Sequence, residues 1–381
     1  MTSRSPILDL PGAVPPPDES IDAGVPWHFG DPFAEQRAAA RKVAVVDRSH
    51  REVIAVPGDE RLSWLHLVIS QHVTALADGA GTEALVLDSQ GRVDAHMLLA
   101  HTDGVVWLDT ERGAAATGAR GGRVALLAYL EQMVFWSKVE PRDATAERAV
   151  LSLVGPETPD LLAAAGLPVP VGDYAVATGS VDTASDGSNV IVRRMPWPGH
   201  DAADLLVPRA ELAAWWTRLT DAGARPMGSW GFDALRVESV RPRLGVDTDE
   251  KTIPHEVNWV HVAAHVAKGC YRGQETVSKV HNVGRPPRRM LLLHLDGSAD
   301  GLPDTGAPVF AGERVVGRVG SVEQHHELGP IALALVKRSV EPGVELVAGE
   351  GEQAAQASID PDSVPEDTPA LGRVAAQGLR G

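Results

Sequence analysis

The hydrophobic and polar positions of the chain form short alternating runs that predict strands, turns and amphipathic helices. Val53–Val56 is an apolar run that ends at Pro57-Gly58, and it predicts a strand closed by a turn. Further apolar runs between residues 84 and 109 predict two or three strands. Residues 123–132 are amphipathic at helical spacing and predict a helix.

The rest of the chain shows two larger patterns and two irregular ends. Residues 145–225 follow the order strand, helix, two strands, helix, which predicts a small α+β domain. From Met290 to Asp360 strands alternate with Gly-rich turns at even spacing, which predicts a small antiparallel barrel. The ends, residues 1–26 and 362–381, are rich in proline, small and acidic residues and are predicted to be disordered.

Composition narrows the possible functions. The 381 residues are too many for one small core, so two or three domains are expected. The formal net charge of −16 argues against direct binding to nucleic acid or to an anionic membrane, because both need a basic surface. No apolar run approaches the roughly 18 residues of a membrane span, and a cytoplasmic monomer is the simplest interpretation. The single cysteine excludes an intrachain disulfide and a permanent iron–sulfur cluster held by thiolates of this chain alone.

The only cysteine lies in a tight, cationic turn, K-G-C-Y-R-G-Q-E at residues 268–275. The residues that follow, Gln274–Val280, contain no helix breaker and predict the start of a helix. A thiol just before a helix N-terminus, with Lys268 and Arg272 nearby, has its thiolate favoured by the helix dipole and by positive charge. The pattern therefore predicts a reactive or ligating Cys270; the alternative is a small, buried apolar side chain in a turn.

This octet resembles the signature K-G-C-Y-x-G-Q-E of the YgfZ-type folate-binding proteins. Those proteins assist iron–sulfur cluster assembly and are related to the glycine-cleavage T-protein, an aminomethyltransferase. The matching positions are Lys268, Gly269, Cys270, Tyr271, Gly273, Gln274 and Glu275. The resemblance implies a catalytic thiol at Cys270. It also implies that Lys268, Tyr271 and Gln274 help to bind the cofactor, tetrahydrofolate or a one-carbon derivative.

A second segment, residues 234–259, resembles the T-protein run L-R-L-E-A-G…G-x-D-x-D…P-x-E. The matching positions are Arg236, Glu238, Gly245, Asp247, Asp249, Pro254 and Glu256. A buried carboxylate can accept paired N–H groups from the edge of a pterin. Glu238 and Glu256 are both candidates for that carboxylate, and Asp247 belongs to the same predicted folate site. The alternative is that these residues are surface charges or turn caps.

Arginines concentrate in a proline-rich bend after the cysteine motif. Arg285, Arg288 and Arg289 form the local basic patch that an acidic protein needs to hold a carboxylate, such as the glutamyl tail of folate. An interdomain linker with solvated arginines is the alternative for Arg285 and Arg288. Arg289 resembles the T-protein arginine at the start of its last domain and is assigned to the folate site.

Two features argue against particular chemistries. His261 and His265 are one helical turn apart, but the glutamate of a zinc-binding H-E-x-x-H motif is missing, so no metal site is predicted. In the T-protein an acidic pair on a strand supplies the catalytic aspartate, and the aligned residues here are Ala95 and His96. Asp94 lies one residue early, which on a strand points to the opposite face. This departure argues against aminomethyl transfer.

The resemblance covers about residues 43–360 and implies an α+β fold, a three-domain T-protein-like ring with a C-terminal antiparallel β-barrel. The implied domains are residues 27–144 with 226–285 for folate binding, 145–225 for the α+β domain and 286–361 for the barrel. The implied function is a folate-binding accessory protein for iron–sulfur cluster assembly or repair, whose partners are assembly or client proteins. An aminomethyltransferase and a non-catalytic folate-binding scaffold are the alternatives.

Overall fold

The structure is a computed structural model that describes residues 4–179, 189–199, 201–283, 285–298 and 301–365. The α-helices are α1 (Pro32–Arg41), α2 (Arg61–Val68), α3 (Leu126–Gln132), α4 (Thr158–Ala164), α5 (Leu212–Asp221), α6 (Ser229–Glu238) and α7 (Gln274–Val283). The strands of the first half are β1 (Ala44–Asp47), β2 (Glu52–Pro57), β3 (Ala80–Leu87), β4 (Val93–Thr102), β5 (Val105–Thr110), β6 (Ala115–Thr117), β7 (Arg123–Ala125), β8 (Arg142–Asp143) and β9 (Arg148–Val154). The remaining strands are β10 (Val176–Gly179), β11 (Val190–Met195), β12 (Ala202–Pro208), β13 (Arg225–Met227), β14 (Arg288–Leu295), β15 (Pro308–Ala311), β16 (Arg314–His325), β17 (Gly329–Lys337), β18 (Leu346–Ala348) and β19 (Ala355–Ile359).

The chain divides into two compact units. The first comprises residues 1–65, 73–83 and 96–239, and the second comprises residues 66–72, 84–95 and 240–381. The domain boundaries drawn from the sequence, with a discontinuous folate-binding domain around an inserted α+β domain, stay predictions.

A six-stranded sheet forms the centre of the first unit, in the order β10-β11-β12-β9-β1-β13. Neighbouring strands are antiparallel except for β1 and β13, which run parallel. One face of the sheet packs on α4 and α5 through Leu161 and Trp216, and the other packs on Val53 and Trp107. Because both faces are covered, burial is continuous along β9 after its first residue and along all of β12, and the two polar residues inside them, Ser152 and Asp204, bond to each other.

A second sheet has the order β3-β4-β5-β2-β8. β5 lies between β4 and β2 and is antiparallel to both. The β4–β5 turn is built by Asp103 (φ 53°) and Gly104 (φ 75°), and two positive φ values in succession suit the twist of a tight hairpin. The strands predicted between residues 84 and 109 are confirmed.

The last six strands close into an antiparallel barrel in the second unit, in the order β14-β17-β16-β15-β18-β19. The pairing register shifts at Val309/Phe310 and between Val319 and Val322, and such irregularities provide the bending that closure requires. The interior is filled by alternating aliphatic side chains of these strands, among them Leu291, Leu293 and Val336. The predicted C-terminal barrel is confirmed, as is the mixture of helices and sheets of an α+β fold.

The predicted disorder of residues 1–26 is wrong for residues 4–26. Ile7 is fully buried in the same core as the six-stranded sheet, and the Ser5 hydroxyl donates to the Asp47 carboxylate. The Val14 N–H donates to the His28 carbonyl at 2.9 Å, and the Trp27 N–H donates to the Val14 carbonyl at 2.8 Å. A proline-rich composition indicated disorder, but a terminal segment is ordered when a few apolar side chains tie it to the core.

Residues 123–132 do not form one helix, because Arg123–Ala125 pairs with β6 and the helix begins only at Leu126.

Of the tail predicted to be disordered, residues 366–381 lie outside the described part of the chain. Its first residues are ordered, since the Asp360 carboxylate caps a short 3-10 turn at Pro361–Ser363.

Candidate functional site

The cysteine motif forms a loop of the second unit that leads into α7. The Lys268 side chain points inward, and its ammonium donates to the carbonyl oxygens of His66, of Ile69 at 2.5 Å and of Gln71 at 3.1 Å. The first two of these carbonyls lie at and just beyond the C-terminal end of α2, where helical carbonyls lack partners within the helix. Burial lowers the pKa of Lys268 to about 8. Lys268 therefore anchors the loop.

Tyr271 and Gln274 also bond to backbone carbonyls, one just before the loop and one within it. The Tyr271 hydroxyl donates to the His265 carbonyl at 3.3 Å, and the Lys268 ammonium lies 4.8 Å from the centre of the Tyr271 ring. Burial raises the pKa of Tyr271 to about 12. The Gln274 side chain donates to the Lys268 carbonyl at 2.9 Å, at the first residue of α7. The structure brings these three predicted cofactor residues together, and their polar groups hold the loop in shape.

Gly273 brings the loop into backbone contact with the turn between β3 and β4. Its φ is 78°, a left-handed conformation that favours glycine. A Cβ at this position would lie 2.6 Å from the Asp88 carbonyl oxygen and 2.7 Å from Gly91 Cα. The opposing Gly91 is equally restricted, because its Cβ would lie 2.6 Å from Thr276 Cβ. Both glycines are needed for this close approach.

Cys270 is exposed on the outside of this anchored loop. The alternative of a buried apolar cysteine is therefore wrong. Of the two cations that the sequence places near the thiol, the Lys268 ammonium is occupied by three carbonyls, while Arg272 is half-buried. A thiol that is accessible on a fixed loop can act as a nucleophile or as a transient ligand.

Asp247 is buried and ties its segment to the barrel. One carboxylate oxygen accepts the Ser321 N–H at 2.6 Å, and the other accepts the Arg243 N–H at 2.7 Å and the Ser321 hydroxyl at 3.1 Å. The neighbouring Gly320 leaves the space that this carboxylate fills, because a Cβ there would lie 2.3 Å from Asp247 Oδ1. The hydrogen bonds of the predicted folate ligand Asp247 thus have a structural role, because they hold its segment against the barrel.

Glu256 is one of the two carboxylates predicted to read a pterin, and it is bound by Arg288. Arg288 Nε and Nη2 donate to the two Glu256 oxygens, each at 2.8 Å, and the same guanidinium donates to Asp249 at 2.5 and 3.1 Å. Burial opposes ionisation of Asp249, but hydrogen bonds from Arg288 and Thr252 hold the pKa of that carboxyl well below its usual range. Arg288 therefore clamps two acidic side chains of its own chain.

Glu238, the other candidate for the pterin, is the last residue of α6 in the first unit. Its side chain is exposed. The sequence argument required a buried carboxylate, because paired hydrogen bonds to a pterin gain specificity when water is excluded. Glu238 does not meet that requirement in this structure.

Three arginines of the second unit form a positively charged cluster. Arg289 begins the buried part of β14, donates to the Val340 carbonyl at 2.7 Å, and has a buried Nε without a hydrogen-bond partner among the described residues. Burial, followed by the positive charges of Arg289 and Arg285, lowers the pKa of Arg338. Like charges this close favour an anion, and a carboxylate is the geometric match for a guanidinium. Arg285, Arg289 and Arg338 are hereafter the arginine cluster.

Arg338 is a residue that sequence reasoning missed. It follows β17, which pairs antiparallel with β14 so that Arg288 lies opposite Lys337. No local motif marks residue 338, and only a correct pairing of these two strands would have placed it beside Arg289.

The histidine pair considered for metal binding does not share a helical face. His261 has a φ of 70° and lies in an irregular turn before the cysteine loop. In the described residues no group of three or more histidine, cysteine or acidic side chains could hold a metal ion. None of the helices in the described residues has the length and apolar character needed to cross a membrane.

Comparison with known proteins shows a matching family model and similar relatives. The family model for the GCVT N-terminal domain matches residues 25–265. The aminomethyltransferase of Rubrobacter xylanophilus is 30% identical over 332 residues, which cover 86% of this chain and 84% of the relative. The aminomethyltransferase of Nitrosococcus oceani is 27% identical over 272 residues, which cover 71% and 70%.

A solved structure has the same fold. The crystal structure of the glycine cleavage system aminomethyltransferase T from Bartonella henselae superposes with a TM-score of 0.78 at 20% identity, covering 94% of this chain and 96% of that one. The predicted T-protein-like α+β fold is therefore confirmed.

Proposed function

Because the chain belongs to the family of the GCVT N-terminal domain, we propose that it binds a reduced folate, tetrahydrofolate or one of its one-carbon derivatives. Support comes from the aminomethyltransferase relatives and from the resemblance of residues 234–259 and 268–275 to folate-binding proteins. The arginine cluster supplies a local concentration of positive charge in a chain whose net charge is −16. Its buried Arg289 Nε has a donor to offer the glutamyl tail of the folate.

The finer proposal is a YgfZ-type accessory function in iron–sulfur cluster assembly or repair, with Cys270 as the acting group. One observation carries it. The side chains of Lys268, Tyr271 and Gln274 bond to backbone carbonyls of the second unit, whereas Cys270 is exposed. One thiolate cannot hold a permanent cluster, so Cys270 acts transiently, either on a cluster-assembly or client protein or on a reactive carbonyl adduct.

Folate binding is tested by calorimetric titration with tetrahydrofolate. Arg289→Ala should weaken binding about 10- to 100-fold, the effect of losing a charge-assisted hydrogen bond. Arg314→Ala is the matched control, because it removes an exposed arginine of the same unit outside the arginine cluster. Equal affinities for wild type and both variants would remove the arginine cluster from the proposed site.

The cysteine function is tested in cells that lack the gene. Wild type should restore the activity of a [4Fe–4S] enzyme, and Cys270→Ala should not, while the purified variant binds tetrahydrofolate with wild-type affinity. Full restoration by Cys270→Ala would favour the non-catalytic folate-binding scaffold.

Aminomethyl transfer is the second candidate, and the named relatives favour it. The sequence departs from that chemistry at Ala95 and His96, and His96 is paired with the Glu83 carboxylate at 2.8 Å. Release of ammonia from an aminomethyl-lipoyl carrier in the presence of tetrahydrofolate and the purified protein would establish this reading over the accessory function.

A further inference from the structure

Two neighbouring aromatic side chains of the first unit are exposed to solvent. Phe135 and Trp136 lie just after α3, and 70% and 96% of their surfaces are accessible. Aromatic side chains bury roughly 150–250 Å² each when they are covered, so these two together leave about 350 Å² in water. Single apolar side chains scattered over a surface are normal, but a contiguous patch of this size is often functional. The pair is therefore a candidate interaction site.

The loop that carries the two rings is fixed at both ends. Before the rings, the Trp64 indole N–H donates to the Met133 carbonyl at 2.7 Å. After them, the Lys138 N–H donates to a Glu60 carboxylate oxygen at 2.7 Å, and Val139 is buried. A surface whose backbone is already ordered loses little conformational entropy when a partner covers it. Residues 134–140 are hereafter the aromatic loop.

The backbone of the aromatic loop is held in an unusual conformation at Phe135. Its φ is 47°, which lies in the left-handed region and is uncommon for an aromatic residue. Such conformations persist only where the surrounding structure holds them, and they cluster at functional sites. The strain coincides here with the residue that begins the exposed pair.

A cleft adjoins the exposed rings. It is lined by Pro57, Gly58, Ser137, Lys138, Val139 and Glu140. Its volume of about 320 Å³ is at the lower end of the range for small-molecule pockets and is sufficient for one large side chain. Ser137 both follows Trp136 in the chain and lines the cleft, so a projecting group and a cavity lie side by side on one surface.

We propose that the aromatic loop pairs two copies of this chain about a two-fold axis, with Trp136 of each copy inserted in the cleft of the other. A two-fold interface uses the same surface on both copies, so a projecting group and its cavity must lie on that one surface. The rings of both copies and the surfaces that they cover amount to about 1,400 Å², the size of a standard stable interface. The monomer expected from the sequence would leave all of these rings in water.

The charges of the cleft are also self-complementary. Lys138 and Glu140 are both exposed and have opposite signs. In a two-fold pair Lys138 of one copy faces Glu140 of the other, and the same contact occurs a second time across the axis. Complementary charges at the edge of an interface fix its register and exclude wrong partners. This inference does not depend on the proposed folate-binding function.

The first test is sedimentation equilibrium of the full chain between about 1 and 100 µM, the range in which a dimer of moderate affinity dissociates. Wild type should change from monomer to dimer over this range. Trp136→Ala should raise the dissociation constant at least about 100-fold, because each dimer loses two central indole rings. Its far-UV circular dichroism spectrum should match wild type, since the ring makes few contacts within one chain.

Val171→Ala is the matched control, because it removes an apolar side chain of the first unit that is 87% exposed and lies outside the aromatic loop. It should keep the wild-type dissociation constant. A wild type that stays monomeric at about 100 µM overturns the inference, even where it binds an unrelated protein through Trp136. Equal dissociation constants for wild type and Trp136→Ala overturn it as well.

The second test exchanges the two charges of the cleft. Lys138→Glu should weaken the dimer at least about 10-fold, because it places like charges opposite each other at two points. The double variant Lys138→Glu with Glu140→Lys should restore the wild-type dissociation constant, since both charges then change on both copies. Only pairing between identical surfaces predicts this recovery. A double variant that dimerises no better than Lys138→Glu overturns the inference.

Discussion

Gly273→Ala tests whether the cysteine loop is held by contact between two backbones. A Cβ at residue 273 would meet the Asp88 carbonyl oxygen at 2.6 Å, Gly91 Cα at 2.7 Å and Gly91 N at 3.0 Å. All three atoms belong to the backbone of one turn, so no side chain can rotate away to make room. The variant must therefore displace either the turn or the loop that carries Cys270.

The expected loss has two parts. A left-handed conformation costs a residue with a Cβ roughly 1 kcal/mol relative to glycine. Insertion of a methyl group into a closely packed contact adds about 1–3 kcal/mol. Gly273→Ala should therefore lower the free energy of unfolding by about 3 kcal/mol. Gly245→Ala is the matched control, because its φ of 84° is similar and its Cβ would meet no atom within 4 Å; it should lose only about 1 kcal/mol.

The assay is urea unfolding of wild type and both variants, followed by tryptophan fluorescence. The rate at which iodoacetamide alkylates Cys270 in the folded protein, measured by mass spectrometry, reports whether the loop has moved. It should change in Gly273→Ala and stay at the wild-type value in Gly245→Ala. Equal losses of stability in the two variants would refute the argument that the close approach anchors the loop.

Substitutions at three further positions test the buried ionisable groups. Arg288→Leu leaves the buried Glu256 without its guanidinium and should destabilise the protein by about 3 kcal/mol in urea unfolding. Arg288→Lys should lose less stability, because it keeps the positive charge without the bidentate geometry. Equal losses in the two variants would contradict a role for that geometry. Burial lowers the pKa of His255 to about 4. The free energy of unfolding should therefore be fully present above pH 6.5 and fall by about 2 kcal/mol as the pH drops toward 4. His255→Phe should remove that loss from unfolding curves at pH 7 and 4.5, and an unchanged pH dependence would argue against it. Arg193 is wholly buried between two aspartates. Arg193→Met should lower the free energy of unfolding by about 3–5 kcal/mol, measured by thermal denaturation. A loss below about 1 kcal/mol would show that the ion pairs add nothing to stability.

Strand and turn positions could be predicted because their signals are local. The apolar runs and glycines between Met290 and Asp360 suffice to predict the barrel, since alternation and turn residues act over a few neighbours. The same local reasoning failed at residues 4–26. There the decisive contact is the burial of Ile7 among residues that are distant in the sequence. Amino-acid composition carries no information about such contacts.

The predicted site residues show the limit of motif reasoning. Spacing and resemblance marked Glu256 as a ligand, but its partner is Arg288, 32 residues later. Lys268 was placed beside the thiol, and its ammonium instead bonds to the Ile69 carbonyl, 199 residues earlier. A motif identifies which side chains matter, but not which way each of them points.

The amino-acid sequence by itself determined the family resemblance, the barrel and the exceptional position of Cys270, because these depend on residue types at fixed short separations. Tertiary structure alone decided which ionisable groups neutralise one another and which remain available. Examples are the engagement of Glu256 by Arg288, the meeting of Arg289 with Arg338 and the pairing of His96 with Glu83. The physical reason is that electrostatic and hydrogen-bond energies depend on distances through space, which chain separation does not specify.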